Sequence, residues 1–191
     1  IEDALLGVSG FAHLSGDFSL NIGTDTKDVV LGTSLAGVPA EALTDRVQQA
    51  TLSANNVDLF AGIGGIYLGE NDSRNSGNAV GMYASDVNIA LALFKGQRAS
   101  YYALKADVAS MGVTGFGDML TANVNDVELM LNQSSTLTSW IDFDQSFSST
   151  NGLVIYDATG TTSTTFDFTS SYVSAQIGRA EFNVAEFLTL E

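Results

Sequence analysis

The 191 residues include no cysteine, one proline, one histidine and one tryptophan. Without cysteine there is no disulfide framework, no thiolate nucleophile and no cysteine-based zinc site. The single His13 excludes a histidine-rich metal centre, and it is the only histidine that could serve a Ser-His-Asp triad. It lies in "FAHLSG" out of phase with Val8, Ala12 and Leu14, which reads as an exposed or partly covered strand position. Basic residues are also scarce: seven against 22 acids, for a net charge of −15. Such a surface repels nucleic acid and anionic lipid, and the few bases are too dispersed to form a patch. No stretch approaches the roughly 18 apolar residues of a membrane-spanning helix, so no membrane insertion is expected.

Catalytic signatures are equally thin. "GVSG" at 7–10 is not a G-x-S-x-G nucleophile elbow. "GIGGIYLG" at 62–69 lacks dinucleotide spacing, and no glycine run leads into G-K-[ST]. Asp142 and Asp144 in "SWIDFD" could suggest a glycosidase-like dyad, but nothing marks a sugar cleft. The segment reads more simply as a strand with Trp140, Asp142 and Asp144 on one side and Ile141 and Phe143 on the other. The expectation is a protein that is not an enzyme.

What is present is alternation. Val8, Ala12, Leu14, Phe18, Leu20 and Ile22 share one parity, which argues for strands that bury one side. One phrase recurs: "SANNVDLFAGI" at 53–63, "YASDVNIALAL" at 83–93 and "TANVNDVELML" at 121–131. "LKADVASMGVTG" at 104–115 is a looser fourth copy. Further strands are expected at 28–35, 152–157 and 164–178, turns at 145–152 and 157–164, and an exposed loop at 69–78. "VPAEALTDRVQQA" at 38–50 carries helical spacing at Ala42, Leu43 and Val47 behind Pro39. The fold class is therefore all-β: an elongated antiparallel sandwich or flattened barrel over residues 1–191 as a single β-rich module, with at most one or two short helices. A β-solenoid is the alternative. The recurrent valines are irregularly spaced, 30 from Val57 to Val87, 21 on to Val108 and 19 on to Val127, which speaks against it.

The polar pairs ahead of these valines, Asn55-Asn56, Ser85-Asp86 and Asn125-Asp126, read as strand entries where Asn and Asp tolerate left-handed backbone. The other reading is a ladder of calcium ligands. Glu70, Asn71 and Asp72 are the better calcium candidates, since three oxygen-bearing side chains adjoin in one loop. Apart from calcium no cofactor is expected. "NDS" at 71–73 and "NQS" at 132–134 match the N-glycosylation pattern. Tyr67, Tyr83, Tyr101 and Tyr102 are the aromatics that a carbohydrate binder would display. The Thr- and Ser-rich stretch 134–174 reads as solvated strand faces.

Finally, the tail "IGRAEFNVAEFLTLE" (177–191) aligns with the head "IEDALLGVSGFAHLS" (1–15) at a constant offset of 176. Ile177, Ala180, Val184, Phe187 and Leu190 match Ile1, Ala4, Val8, Phe11 and Leu14. A long period of this kind marks a tandem array whose units pack on their neighbours. The opening "IEDALLG", with no initiator Met, reads as cut from something longer.

"VDLFAGIGG", "VGMYASDVNIALALF" and "SYYALKADVASMGVTGFGDMLTANVNDVELMLNQ" resemble the tandem β-rich repeat modules of giant bacterial extracellular proteins, adhesin-like or haemolysin-type calcium-binding. "GFAHLSGDFSL" and "FDFTSSYVSAQIGRAEFNVAEFLTLE" resemble the joint between two such modules. The resemblance implies secretion to the cell surface, a structural or adhesive role, and partners that are identical or homologous modules joined end to end. It carries no catalytic residues. The alternative it leaves is a calcium-dependent adhesin or carbohydrate-binding domain with a glycan or surface ligand as partner. The nonapeptide calcium repeat that often accompanies the family is absent: "GGIYLGEND" has Tyr67 where that turn requires glycine.

Overall fold

The computed structural model describes residues 1–8, 11–35, 43–64, 79–185 and 188–190. Long alternating segments give long strands: β1 (Ala4–Val8), β2 (Ala12–Thr33), β3 (Thr44–Ile63), β4 (Val80–Lys95), β5 (Ser100–Thr114) and β6 (Leu120–Ser134). A short insertion follows, made of β7 (Ser139–Ile141), the four-residue helix α1 (Phe143–Ser146), β8 (Leu153–Tyr156) and β9 (Ser163–Phe166). The chain then returns to the sheet as β10 (Tyr172–Val184) and β11 (Leu188–Leu190). The main sheet runs β1-β2-β3-β4-β5-β6-β10-β11, every neighbouring pair antiparallel. β7 pairs with the end of β2, and β8 with β9 as a separate hairpin.

The all-β antiparallel expectation holds. The sheet is open, with β1 and β11 as its edges, rather than closed as a barrel or coiled as a solenoid. The second layer of a sandwich is present only in part, as the insertion 135–171. It lies on one face and covers the half of the sheet that holds the β4–β5 turn. Val29, Leu31, Val47, Ala90, Ala92, Phe94, Tyr101 and Ala103 come from the sheet, and Ile141, Phe143, Phe147, Ile155 and Phe166 come from the insertion. Together they form the main core. Phe143 stands at its centre, its ring 5.7–6.3 Å from those of Phe94, Phe147, Phe166 and Phe168.

Two local expectations change. Residues 44–50 are strand rather than helix, while 36–42 lie outside the described residues. The alternation Asp45 buried, Arg46 exposed, Val47 buried suits a strand as well as helical spacing does, and pairing with β2 decides it. "SWIDFD" is a strand only to Ile141. Asp142 caps α1, accepting from the Gln145 backbone N–H (3.0 Å) and from Gln145 Nε2 (2.8 Å), which turns the chain and buries Asp142 beside Ile141 and Phe143. Asp142 and Asp144 therefore do not share a strand face.

Polar groups bind the insertion to the sheet. The Lys105 ammonium reaches the Thr165 carbonyl (2.8 Å) and Asp167 Oδ1 (2.9 Å), and Ser53 Oγ donates to the Tyr156 carbonyl. Asn132 donates from Nδ2 to the carbonyls of Ile141 and Ser170. In the turn between β8 and β9, Asp157 accepts from Thr159, Thr161 and Thr162, and these bonds hold its carboxyl down to about 2. Asp45, buried, accepts from the backbone N–H groups of Gln97 and Arg98 and from the Tyr101 hydroxyl, fixing the β4–β5 turn. Burial first, and the Asp45 carboxylate second, push the Tyr101 hydroxyl above its ordinary range.

Two predictions follow from the covered half. Phe143→Ala should cost about 3–5 kcal/mol by emptying the centre of the core, read as a lowered urea midpoint; a shift below a tenth of that would contradict the packing. The bond from Lys105 holds the Asp167 carboxyl below its ordinary value of 3.8. Its stabilisation is then complete above that value and is lost as pH falls below it. Protection of the amides of residues 163–168, their exchange taken relative to the unstructured chain at the same pH, should therefore fall below about pH 4, and Lys105→Met should remove that fall.

Candidate functional site

Three features lie outside the covered half: a crease across the sheet, an apolar face, and two matching edges. The crease comes from the polar pairs of the repeated phrase. Asn56, Asp86 and Asp126 have φ of 48°, 50° and 55°, left-handed backbone within long strands rather than at their starts. Asn and Asp tolerate this conformation better than other residues with a Cβ. Such a residue turns its N–H out of the ladder, and that donor needs a new acceptor. Asn88 Oδ1 accepts from the Asn56 N–H (3.0 Å), and Asp58 Oδ1 accepts from the Asp86 N–H (3.2 Å), a reciprocal pair around the Val57–Val87 register.

The crease crosses the whole sheet. Ladder pairing steps over Asp86 and Ala109 between β4 and β5, Ala109 and Asp126 between β5 and β6, and Asp126 and Gly178 between β6 and β10. At the β2 end Gly16 (φ 148°) sits at the register shift, where a Cβ would press on Val57 at 2.8 Å. The recurrent valines line up beside it: Val57 pairs with Val87, Val87 with Val108, Val108 with Val127, and Val127 with Ile177.

In β3 to β6 and in β10 the alternation changes phase at the crossing, whereas β2 keeps its parity from Leu14 to Phe18. Ala54 and Val57, and likewise Ala84 and Val87, are three apart yet belong to one buried cluster, with Leu14, Phe18, Ile89 and Val108 packed on it. One face of the sheet therefore stays apolar on both sides of the crease, from Ile22, Ala50 and Leu93 to Ile63 and Val80. Its rows run Phe18-Ala54-Ile89-Ala106-Leu129-Ala175, Leu20-Leu52-Leu91-Leu104-Leu131-Val173, and, beyond the crease, Leu14-Leu59-Ala84-Met111-Val124-Ala180. No described element other than neighbouring strands packs on this face; the insertion bonds to Ser53 and Lys105 on the opposite one. Leu20, Ile22, Met82 and Ile177 are each more than 60% exposed.

The acids gather on the opposite face. Asp107 pairs with Asn88 and Glu128 in the ladder, and Asn88 Nδ2 donates to Asp107 Oδ2 (2.9 Å). Among the described residues no three acidic or histidine side chains converge as a metal set. Glu70, Asn71 and Asp72, and with them Tyr67 and "NDS", lie outside the described residues.

Other candidates disperse. His13 is buried, not exposed, with its ring stacked 6.3 Å from Phe60 on the face opposite Leu14. Tyr101 is buried and points away from Tyr102, while Tyr83 donates to Asn123, so these three form no common platform. Asn132 of "NQS" is buried and bonded through its amide, which closes it to modification. The threonines of 159–162 serve the Asp157 turn.

The edges match each other. β1 and β2 pair Leu6 with Leu14 and Val8 with Ala12; β10 and β11 pair Phe182 with Leu190 and Val184 with Leu188. Both partners of each pair are displaced by 176 (182 − 6 and 190 − 14). The head-to-tail echo is thus one hairpin built twice in the same register, at opposite edges of one sheet.

No protein-family model, curated protein or solved structure matches this chain.

The crease gives a sharp test. Asp86→Gly should leave the urea midpoint within about 0.5 kcal/mol of the parent, because glycine enters positive φ freely. Asp86→Ala should cost about 1–2 kcal/mol, the penalty of left-handed backbone for a Cβ. Equal effects of the two would show that backbone conformation is not what the position selects.

Proposed function

We propose that this chain is a non-catalytic structural module of an extracellular fibre or cell-surface array, joined to its like through its terminal strands. The repeated edge hairpin is the observation that carries this reading. A sheet that ends on one side in a hairpin and on the other in the same hairpin, in the same register, has edges suited to continue into one another. Strand direction agrees. The eight strands of the main sheet alternate, so β1 and β11 run oppositely, and β1 of a second copy laid on β11 extends the antiparallel pattern. Exposed edges carry unpaired N–H and C=O groups that favour such addition. The resemblance to tandem bacterial surface modules points the same way, as does the surplus of acids, which suits a solvated exterior rather than a nucleic-acid partner.

Two forms of the array differ in period. In a tandem chain the tail hairpin of one unit doubles as the head hairpin of the next, so each unit adds six strands, β2 to β6 and β10. Separate chains placed edge to edge add all eight. At about 4.8 Å per strand the lateral repeat is ~29 Å in the first case and ~38 Å in the second.

Electron microscopy of the concentrated chain should show ribbons with the ~38 Å repeat, and two copies fused in tandem should show ~29 Å. Removing residues 1–8, which takes away β1, should abolish ribbons while preserving the β-sheet circular dichroism. Ribbons that survive this deletion unchanged would overturn the edge joint.

A further inference from the structure

We propose that the apolar face of the sheet is the seat of a second copy of this chain, sheet against sheet, so that two open sheets complete one sandwich. This interface is distinct from the edge joint: one extends the sheet sideways, the other gives it a second layer.

Size is the first argument. Six strands about 4.8 Å apart, crossed by about 14 residues at ~3.3 Å each, present roughly 1,300 Å². A stable protein interface needs about 800 Å² per partner. Composition is the second. The rows from Ile22-Ala50-Leu93-Tyr102 to Ile63-Val80 contain no charged residue. Beyond Ile22 and Leu93 the next row is Thr26-Gln48-Lys95-Ser100. An apolar centre with a polar rim is the anatomy of a protein–protein contact.

Charge chooses between occupants. At −15 the chain is repelled by an anionic membrane surface. Like charge also weakens association of two copies at low salt, but this face brings no acids into contact, because Asp107, Glu128, Asp167 and Asp58 stand on the covered side or in the crease ladder. Relief is the last argument. Leu20, Ile22 and Met82 project at the ends of the face, while Ala54, Val57, Ala84 and Val87 lie low at its centre. Two apolar hollows flank that centre, of about 350 Å³ beside Leu6, Leu59 and Met111 and about 360 Å³ beside Ile22, Leu93 and Tyr102. A partner related by a two-fold axis offers its projecting side chains to such hollows, residue i meeting j and j meeting i. Sheets meeting in this way stack about 10 Å apart.

The absence of native cysteine permits a direct test with single-cysteine variants of the full chain under reducing conditions. Ala106→Cys and Ala175→Cys place a thiol on the apolar face, and Thr24→Cys places one in the β2 bulge outside it. Alkylation of the first two should be at least tenfold slower at 100 µM chain than at 0.1 µM, with Thr24→Cys unchanged. Adding Leu91→Glu and Leu104→Glu should abolish that protection. Light scattering on the parent should give twice the chain mass, or ribbons of two layers. Edge joining alone leaves Ala106 accessible, so loss of ribbons on removing residues 1–8 and loss of protection here report separate interfaces. Alkylation of Ala106→Cys and Ala175→Cys that does not depend on chain concentration would overturn the proposal. So would protection that appears only on adding phosphatidylcholine vesicles, which would assign the face to lipid.

Discussion

Each strand that crosses the crease must place one residue outside the regular ladder, and all of them must do so in the same transverse line. An isolated left-handed residue in a strand is a bulge: it strands a donor and throws the side-chain alternation out of phase. A single bulged strand between regular neighbours would carry apolar side chains to the wrong face beyond it. Here Gly16, Asn56, Asp86, Ala109, Asp126 and Gly178 fall on one line: β3 to β6 and β10 change phase together, while β2 keeps its parity from Leu14 to Phe18 and takes up the difference in the register shift at Gly16, so the faces stay segregated. The stranded donors are met by side chains of the next strand, as Asn88 and Asp58 do for Asn56 and Asp86. The Asn and Asp of the repeated phrase are therefore structural on two counts, as tolerant backbone and as acceptors.

This constraint explains which parts of the fold were legible in the sequence. The phrase was visible as recurrence, and strand type followed from alternation. Its meaning as a transverse row was not, because the connections between copies differ in length and a linear reading sees only spacings of 30, 21 and 19. Antiparallel pairing absorbs those differences in the turns and brings Val57, Val87, Val108 and Val127 side by side. The left-handed backbone was legible in residue type but misplaced to strand entries. Nothing in the local sequence says that the strand continues past Asn56 toward Thr44, since that depends on its partners.

The errors have similar causes. Residues 44–50 fit helical spacing and strand alternation alike, and the deciding contacts come from β2 and β4, remote in sequence. Asp142 looked like an ordinary alternating residue, but a capping carboxylate three residues ahead of a free backbone donor ends the strand there. His13 lies in the polar phase of its strand, which reads as exposed or partly covered; Phe60, forty-seven positions away, stacks on it and it is buried. The site features divide in the same way. The head-to-tail echo was readable as five matches, but that the matches form one hairpin in one register at opposite edges is a property of the pairing.

An open sheet with one apolar face is an incomplete object by the physics of burial. Globular domains set two layers around a core, and here the insertion supplies the second layer over half of one face. That half holds the phenylalanine cluster; the opposite face, with its aliphatic rows, has no counterpart within the described residues. Mutation to polar residues would have been the simple remedy for a monomer, yet the alternation keeps the face apolar through a phase change that would otherwise have broken it. A step of six strands from one hairpin to its equivalent, β1 to β10, is an even number, which returns strand direction and face to their starting values. Sideways addition of units then carries the apolar face forward unbroken, and a layer wide enough to need a partner becomes wider with each unit. The proposed edge growth and the proposed face pairing are for this reason compatible in one assembly, the first setting its width and the second closing it from water.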